Sequence, residues 1–312
     1  MNETMIPVYF VNGFLESGKT TFIRGLLGDP DFTQGHRILL VRCEDGEEEY
    51  SEEFLQKNNV ALADVDSIDA FEADNLRALS DEAGAAAVFV ECNGMWDSRK
   101  MIFSFPEAWR LIMVITLVDA GTYELYSANM GNFMFSHISQ ADAIMINRCT
   151  DELKEMLYRR NLIAMNPKAS IELVDPDGNT EDYVLNLPVP YDLDAETVDI
   201  LPEHFGIWYI DALRSPSRYD GKKIRVTGEV RRGEGLCRVG RLSMVCCAED
   251  MTFYGAVCRG AEADKWQEGD WVTAAGTVRI EQLPVYHGEG PVLLVTEWEA
   301  AEPPEDKVLY LV

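Results

Sequence analysis

The sequence predicts an α/β protein in which a mostly parallel sheet, with helices on both faces, is followed by a small all-β barrel. The first observation is that apolar, strand-like runs alternate with helical patterns over about the first 200 residues, as in parallel sheets. The second is that short strand patterns separated by turns follow residue 206. The predicted strands of the sheet are 7–11, 37–42, 86–91, 112–118, 143–147 and 170–174.

The barrel is predicted from five short strands within about a hundred residues. Glycine-containing turns such as Asp220-Gly221 and Gly288-Glu289-Gly290 separate them. Five strands in a segment of this length are typical of a small barrel of the OB type. The predicted barrel strands are 223–230, 242–247, 253–258, 271–278 and 292–297.

The length of 312 residues predicts two domains, at about 150 residues each. We place the first domain at residues 1–185 and the barrel domain at 206–312. Residues 186–205 read as a linker, because they contain two prolines close together and then an acidic stretch.

The composition is that of a globular protein, with 47% hydrophobic and 26% charged residues. The net charge of −27 argues against binding of nucleic acid or anionic membranes by the whole surface. It is compatible with cation handling or simply with a solvated acidic surface. The chain shows no basic, apolar leader and no apolar run of about 20 residues. We therefore expect no membrane span and a cytoplasmic protein with reduced thiols.

The segment from Gly13 to Thr20, GFLESGKT, fits the phosphate-binding pattern G-x-x-x-x-G-K-[ST]. A predicted strand precedes it and a helical pattern follows it, which is the context of a P-loop NTPase. Backbone N–H groups of such a loop surround phosphate oxygens at the start of the helix. Lys19 is expected to reach the β- and γ-phosphates, and the Thr20 hydroxyl to bind Mg²⁺.

Three further segments follow strand ends, where a nucleotide-hydrolysing site needs them. Glu91 ends an apolar strand and can hold the Mg²⁺ shell or the attacking water, and Gly94 can offer its N–H to the γ-phosphate. The next strand ends at Asp119. The one after it ends at Asn147, where a base-recognition loop is expected.

These motifs together resemble the CobW-type branch of the G3E GTPases over residues 5–175. The matching segments are the P-loop, E-x-x-G at 91–94, LVDA at 117–120, the loop at Asn147, and C-E-D-G-E at 43–47. The resemblance implies Mg²⁺-dependent GTP hydrolysis, slow without a partner or a homodimer, and coupled to metal delivery or cofactor assembly. It implies catalytic roles for Lys19, Glu91 and Glu44, with Mg²⁺ held by Thr20, Glu44 and Glu91. The residues expected to contact GTP or GDP are Gly13, Glu16, Ser17, Gly18, Lys19, Thr20, Thr21, Gly94, Asn147, Arg148 and Asp151.

The chain departs from that family at two points. Residues 48–80 contain no cysteine, so the family's C-x-C-C metal motif is missing. Cys43 and Cys92 are either a substitute pair of soft ligands or small buried residues. The expected base motif N-K-x-D reads N-R-C-T, followed by Asp151 one place late. Arg148 could then stack on the base, and Asp151 could accept hydrogen bonds from guanine if the loop bulges.

The C-terminal segment carries four of the seven cysteines. Cys237, Cys246, Cys247 and Cys258 are a candidate site for Zn²⁺ or another transition metal. Against this, they form no C-x-x-C pair, and adjacent cysteines on a strand point to opposite faces. Of the four histidines, none is predicted to be a ligand, and His287, beside Tyr286, is the one to test.

A basic cluster on the barrel segment could bind a nucleic-acid strand, but a solvated hairpin is favoured because no aromatic platform is evident. It comprises Lys222, Lys223, Arg225, Arg231, Arg232, Arg238 and Arg241. The segment 206–312 itself resembles the C-terminal domain of the YcgQ-like proteins, through MVCCAED at 244–250, GDWV at 269–272 and GTV at 276–278. That family is paired with a predicted permease, which implies a setting in transport or metal homeostasis.

Three functions remain open at this point. The first is a GTPase that serves as a metallochaperone or regulates a transporter or another metal-dependent client protein. The second is a nucleotide-dependent binding switch with negligible hydrolysis, whose barrel binds a protein partner. The third is a P-loop kinase, for which the sequence shows no lid-like cluster of arginines.

Overall fold

A computed structural model describes residues 5–46, 48–159, 162–183, 189–233, 235–244, 251–286 and 288–310. The chain folds into two compact units. The first comprises Met1–Arg160 and Ala169–Val184, and the second comprises Asn161–Lys168 and Leu185–Val312.

In the described part of the first unit, eight strands form one sheet in the order β3-β2-β4-β1-β5-β6-β7-β8. Neighbouring strands are parallel except at the edge, where β8 runs antiparallel to β7. The strands are β1 Ile6–Asn12, β2 Ile38–Arg42, β3 Val60–Asp64, β4 Ala87–Glu91, β5 Trp109–Asp119, β6 Ala143–Asn147, β7 Ser170–Val174 and β8 Thr180–Asp182. The helices are α1 Lys19–Leu27, α2 Pro30–Thr33, α3 Glu52–Lys57, α4 Ala73–Ala83, α5 Ser98–Phe103, α6 Tyr123–Asn129, α7 Gly131–Ser139 and α8 Asp151–Arg159.

The central strands are apolar throughout because both faces of the sheet are buried. Alternate side chains of β2, such as Leu39 and Val41, enter a core that includes Leu76 of α4 and Met101 of α5. The side chains between them, such as Leu40, enter a second core against α1 and α3. A parallel sheet covered by helices on both faces therefore accounts for the unbroken apolar runs of the sequence.

This topology brings the carboxyl ends of the central strands to one edge of the sheet. The P-loop follows β1, Glu44 follows β2, and Glu91 ends β4. Asp119 and Asn147 end β5 and β6 and face each other in register. Ligands of open α/β sheets bind at this edge.

The second unit contains a closed barrel. Strands β10, β11, β12, β14 and β13 pair in that order, and β13 pairs back to β10. The pairs are antiparallel except β12 with β14. The elements of this unit are β9 Val198–Ile200, α9 Phe205–Arg214, β10 Lys223–Gly233, β11 Leu236–Met244, β12 Thr252–Arg259, β13 Trp271–Leu283, β14 Gly288–Ala300 and β15 Val308–Tyr310.

Several elements were not predicted. They are the edge strands β3 and β8, the helix α9, and the short strands β9 and β15. The strand predicted at 242–247 begins earlier, at Leu236, and its last residues lie outside the described ranges. Strand β9 lies within the predicted linker and pairs with β10.

Candidate nucleotide site

The P-loop turns sharply between β1 and α1. Gly18 takes a left-handed conformation with φ of 96° as it caps α1. A Cβ atom there would also lie 2.7 Å from the Asn147 side-chain nitrogen. Both constraints favour glycine. No side chain caps the start of α1, and the N-terminus of a helix is a favourable place for an anion.

Lys19 is buried, and its ammonium group has three acceptors. Its Nζ donates to the carbonyl oxygens of Gly13 and Phe14 at 2.9 Å each and to Glu44 Oε2 at 2.7 Å. An ammonium group has three N–H donors, so every one is used. Of these acceptors, the Glu44 carboxylate is the one that belongs to a side chain.

Thr20 and Glu91 form the second contact of the site. The Thr20 hydroxyl donates to Glu91 Oε1 at 2.6 Å, and the Tyr50 hydroxyl donates to Glu91 Oε2 at 2.7 Å. Burial and the Glu91 charge raise the pKa of Tyr50, which keeps the phenol protonated and able to donate. Tyr50 was not predicted as a site residue, because no motif marks a side chain that joins the site from 41 positions away.

An open groove lies over these side chains, with about 640 Å³ of space that is partly open to solvent. It brings together eight of the predicted site residues and adds Leu15, Gly46 and Glu48 from the same loops. Its lining is Leu15, Glu16, Gly18, Lys19, Thr20, Thr21, Glu44, Gly46, Glu48, Glu91 and Arg148.

Gly94 packs directly against the P-loop. A Cβ atom at this position would lie 2.6 Å from the Gly13 carbonyl oxygen and 2.8 Å from Phe14 Cα. Real Cβ atoms essentially never approach a backbone atom so closely. The segment after Glu91 is therefore in contact with the loop that is expected to hold phosphate.

The loop after β6, where a base-recognition loop was expected, contacts the backbone of the P-loop. The Asn147 side chain donates to the Ser17 carbonyl oxygen at 2.8 Å. Arg148, with φ of 55°, donates to the Glu16 carbonyl oxygen and pairs with Asp119 at 2.7 Å. Asp151 begins α8 with a fully exposed side chain, 3.5 Å from Lys154 Nζ.

Five cysteines lie within the described ranges and all are buried; four of them form two pairs, and Cys149 is the fifth. Cys43 and Cys92 lie in one buried core, and burial raises the pKa of both thiols. Cys237 and Cys258 are opposite each other on β11 and β12, whereas Cys246 and Cys247 lie outside the described residues. Within the described ranges, no three His, Cys, Asp or Glu side chains come together as a metal site.

The arginines of the basic cluster on the barrel have different surroundings in the structure. Arg241 is buried and donates to backbone carbonyl oxygens, so it has a structural role. Arg231 and Arg238 both lie 5.5 Å from the centre of the Phe253 ring. Arg231 also pairs with Glu229 and Glu268, which reduces the positive charge of this patch. His287, the histidine chosen for testing, lies outside the described residues.

His137, for which the sequence predicts no role in the site, is buried beneath the P-loop. Its ring lies 5.1 Å from the Phe14 ring, and neither ring nitrogen has a hydrogen-bond partner in the described part of the chain. Burial, followed by the nearby Lys19 charge, lowers the pKa of His137 to about 4. The imidazole is therefore neutral at physiological pH.

This buried histidine predicts a pH-dependent stability. Because its folded pKa is below the unfolded value of about 6.5, the unfolded chain binds more protons between these two values. The contribution of His137 to the free energy of unfolding is full above pH 6.5 and is lost as the pH falls toward 4. The loss between pH 7 and pH 5 is about 2 kcal/mol. Urea titrations at both pH values should show a smaller loss of unfolding free energy for His137→Phe than for the parent. The exposed His36→Phe is the control, and equal losses in all three proteins would contradict the assignment.

Two protein families match this chain. The family CobW/HypB/UreG, nucleotide-binding domain, matches residues 7–171, and the DUF1980 C-terminal domain matches residues 185–311. No functionally curated protein matches this sequence significantly. No helix in the described ranges is long and apolar enough to cross a membrane.

Solved structures with similarity to this chain include GTPases. The Zn(II)-bound YjiA GTPase from E. coli is 24% identical, over 55% of this chain and 57% of its own, with a TM-score of 0.41. A Zn(II)-bound triple mutant of YjiA is 18% identical over 98% and 92%, with a TM-score of 0.44. The hydrogenase maturation factor HypB from Archaeoglobus fulgidus is 14% identical over 55% and 82%, with a TM-score of 0.37.

The family match covers more than half of the chain, and its P-loop, E-x-x-G segment and asparagine loop converge at one edge of the sheet. The chain therefore belongs to the CobW/HypB/UreG family of P-loop GTPases, with a DUF1980 C-terminal domain after the nucleotide-binding domain.

Proposed function

We propose that this protein binds GTP with Mg²⁺, hydrolyses it slowly, and acts in metal delivery or in the regulation of a transport partner. The observation that carries the proposal is the convergence of Lys19, Thr20, Glu44 and Glu91 in one groove. They form two hydrogen-bonded pairs, Lys19 with Glu44 at 2.7 Å and Thr20 with Glu91 at 2.6 Å. A cation that can hold phosphate lies beside two carboxylates that can hold a divalent ion. This is the donor set that phosphoryl transfer to water requires.

The chemistry of these donors fits Mg²⁺. The Thr20 hydroxyl and the carboxylates of Glu91 and Glu44 are hard oxygen ligands, which Mg²⁺ prefers. When bound, Mg²⁺ neutralises negative charge on the β- and γ-phosphate oxygens. Lys19 would supply a second, fixed positive charge, and the Glu91 carboxylate, which accepts a hydrogen bond from Tyr50, could orient a water molecule.

Phosphate release from GTP tests this function. We expect Mg²⁺-dependent release that stops on addition of EDTA and resumes when excess Mg²⁺ is added. A rate that is indifferent to EDTA would contradict the assignment of the metal ligands. Zn²⁺ added at low concentration beside Mg²⁺ tests the connection with metal delivery, which predicts a change in the rate.

One observation favours a binding switch with negligible hydrolysis as the second candidate. Each oxygen of Glu91 already accepts a hydrogen bond, from Thr20 or from Tyr50, and these bonds compete with a water molecule and a divalent ion for the remaining acceptor sites of the carboxylate. A single-turnover assay beside equilibrium binding separates the two functions. Tight binding of GTP without measurable phosphate release would support the switch.

The barrel is the partner-binding module in this proposal. Its closed order of five strands with a single parallel pair, β12 with β14, supports an OB-type barrel. The overall negative charge and the ion pairs that reduce the positive charge around Phe253 favour a protein partner over nucleic acid. The proposed partner of the barrel is a metal-dependent client protein or a transporter. A homodimer that completes the nucleotide site is also part of this proposal.

Selectivity for guanine is predicted to be weak. Guanine offers two neighbouring N–H donors, and a carboxylate that accepts both makes the site selective. Here Thr150 stands three positions after Asn147, and the Asp151 carboxylate is directed to Lys154. Because a hydrogen bond to a charged acceptor contributes about 1.5–3 kcal/mol, Thr150→Asp should raise the preference for GTP over ATP about tenfold or more.

Calorimetric titrations of the Thr150→Asp variant with GTP and with ATP measure this preference. Glu152→Gln, in the same exposed turn, is the matched control. A loss of GTP affinity in Asp151→Asn would contradict the prediction, because Asp151 would then be the acceptor.

A further inference from the structure

Two cysteines meet on one face of the sheet, directly beneath the nucleotide site. Strands β2 and β4 pair in parallel up to Arg42 and Glu91. The ladder continues by one more bond, in which the Cys43 N–H donates to the Glu91 carbonyl oxygen at 2.9 Å. Cys43 therefore lies opposite Cys92 on a neighbouring strand, at the ordinary strand separation of about 4.8 Å.

The side chains of both cysteines point into the same core. This core contains Val41 and Cys43 from β2 and its end, and Val90 and Cys92 from β4 and its end. Leu40 and Phe89, which precede Val41 and Val90 in the chain, belong to the opposite core. The alternation of strand side chains thus places the two thiols next to each other.

A third sulfur completes the cluster. Met101 of α5 is fully buried in the same core, and its Sδ lies 3.2 Å from Cys92 Sγ. The cluster therefore offers two thiols and one thioether in an apolar environment. Sulfur-only donor sets of this kind select soft cations such as Cu(I) over hard ions such as Mg²⁺.

Each cysteine is also the chain neighbour of a nucleotide-site carboxylate. Cys43 precedes Glu44, which pairs with Lys19, and Cys92 follows Glu91, which accepts the hydrogen bond of Thr20. The strand alternation points the sulfurs to one face and the carboxylates to the other. A shift of either cysteine on binding an ion is transmitted through a single peptide unit to the groove.

We propose that Cys43, Cys92 and Met101 form a binding site for a soft monovalent cation, Cu(I), whose occupancy changes the affinity of the groove for nucleotide. Each coordinating thiol releases its proton to solvent as its sulfur binds the ion, and the thioether binds without proton release. The coupling to nucleotide rests on the proposed function, whereas the metal site does not.

Anaerobic titration with Cu(I), in competition with a chromophoric chelator and without nucleotide, tests the site. The parent protein should retain one more Cu(I) per chain than Cys43→Ala or Cys92→Ala. Cys149→Ala, a buried cysteine of the same unit outside the cluster, should retain as much as the parent. Cys43→Ser preserves size while removing the soft ligand, so it should also lose one Cu(I). Equal retention in all these proteins would overturn the proposal.

The affinity for Mg·GTP, measured with and without bound Cu(I), tests the coupling. We expect a change of about fivefold or more in the parent, the lower end of ordinary allosteric coupling, and no change in Cys92→Ala. An unchanged affinity in the parent would overturn the coupling. The two proposals can fail separately. If the cysteine variants lose one Cu(I) but the parent protein binds no nucleotide, the metal site is supported and the proposed function is refuted.

Discussion

Replacement of Lys19 by alanine is expected to lower the affinity for Mg·GTP by about two orders of magnitude or more. Lys19 is buried and has three short hydrogen bonds to acceptors of the P-loop and Glu44. Removing one partner of a buried, hydrogen-bonded charge pair costs about 2–5 kcal/mol, and each 1.4 kcal/mol corresponds to a factor of ten. Equilibrium binding of a fluorescent GTP analogue measures the loss.

The control for this variant is Lys57→Ala, at the exposed end of α3. It removes the same charge from the chain and should bind GTP as the parent does. Because alanine at position 19 leaves the Glu44 carboxylate without its partner, circular dichroism should confirm that the variant is folded. A folded Lys19→Ala protein with the affinity of the parent would place the phosphates elsewhere.

The second large effect is expected for Glu91→Gln, which should slow GTP hydrolysis about 10²–10³-fold. Glutamine has the size of glutamate and can still accept a hydrogen bond from Thr20 or Tyr50. It removes the negative charge that holds the divalent ion and orients water. Loss of one pre-oriented electrostatic group at a reaction centre typically has an effect of this size.

Single-turnover phosphate release measures the effect, with Glu82→Gln on the exposed face of α4 as the matched control. Nucleotide binding should decrease much less than turnover in Glu91→Gln, because Lys19 and the P-loop remain. If parent and variant release phosphate at the same slow rate, Glu91 has no part in hydrolysis and the binding switch is favoured.

The predicted fold class agrees with the structure because the signals for it are local. Each central strand is an apolar run, as Ile38–Arg42 shows, since both of its faces are buried. Strand β3, Val60–Asp64, was missed because it lies at the edge and is only half buried. Helix α9 was missed because FGIWYIDALR is rich in aromatic and β-branched residues, which favour strands. Its burial against the barrel outweighs that preference.

The candidate site was predictable where a motif holds its residues together along the chain. The convergence of Lys19 and Glu44 follows from the motif and from the order of the strands. Contacts that depend on packing could not be predicted from local sequence. Examples are the bond between Tyr50 and Glu91 and the contact of Met101 with Cys92.

The proximity of Cys43 to Cys92 also could not be predicted from local sequence, because it depends on the register between two strands. The sequence indicates the pair only through the position of both cysteines after strand ends. Register and side-chain alternation, which require the sheet, then place them on one face. The unpaired ring of His137 likewise depends on helix α7, Gly131–Ser139, packing beneath the P-loop.

Calorimetric titration of the full-length protein with GTP, GDP and ATP, each in the presence of Mg²⁺, tests the central claim most directly. The claim is that the edge groove around Lys19, Thr20, Glu44 and Glu91 is a nucleotide site. It predicts one bound GTP or GDP per chain, binding that weakens when Mg²⁺ is removed, and only a modest preference over ATP. Absence of binding by all three nucleotides, or equal binding by Lys19→Ala, would contradict it.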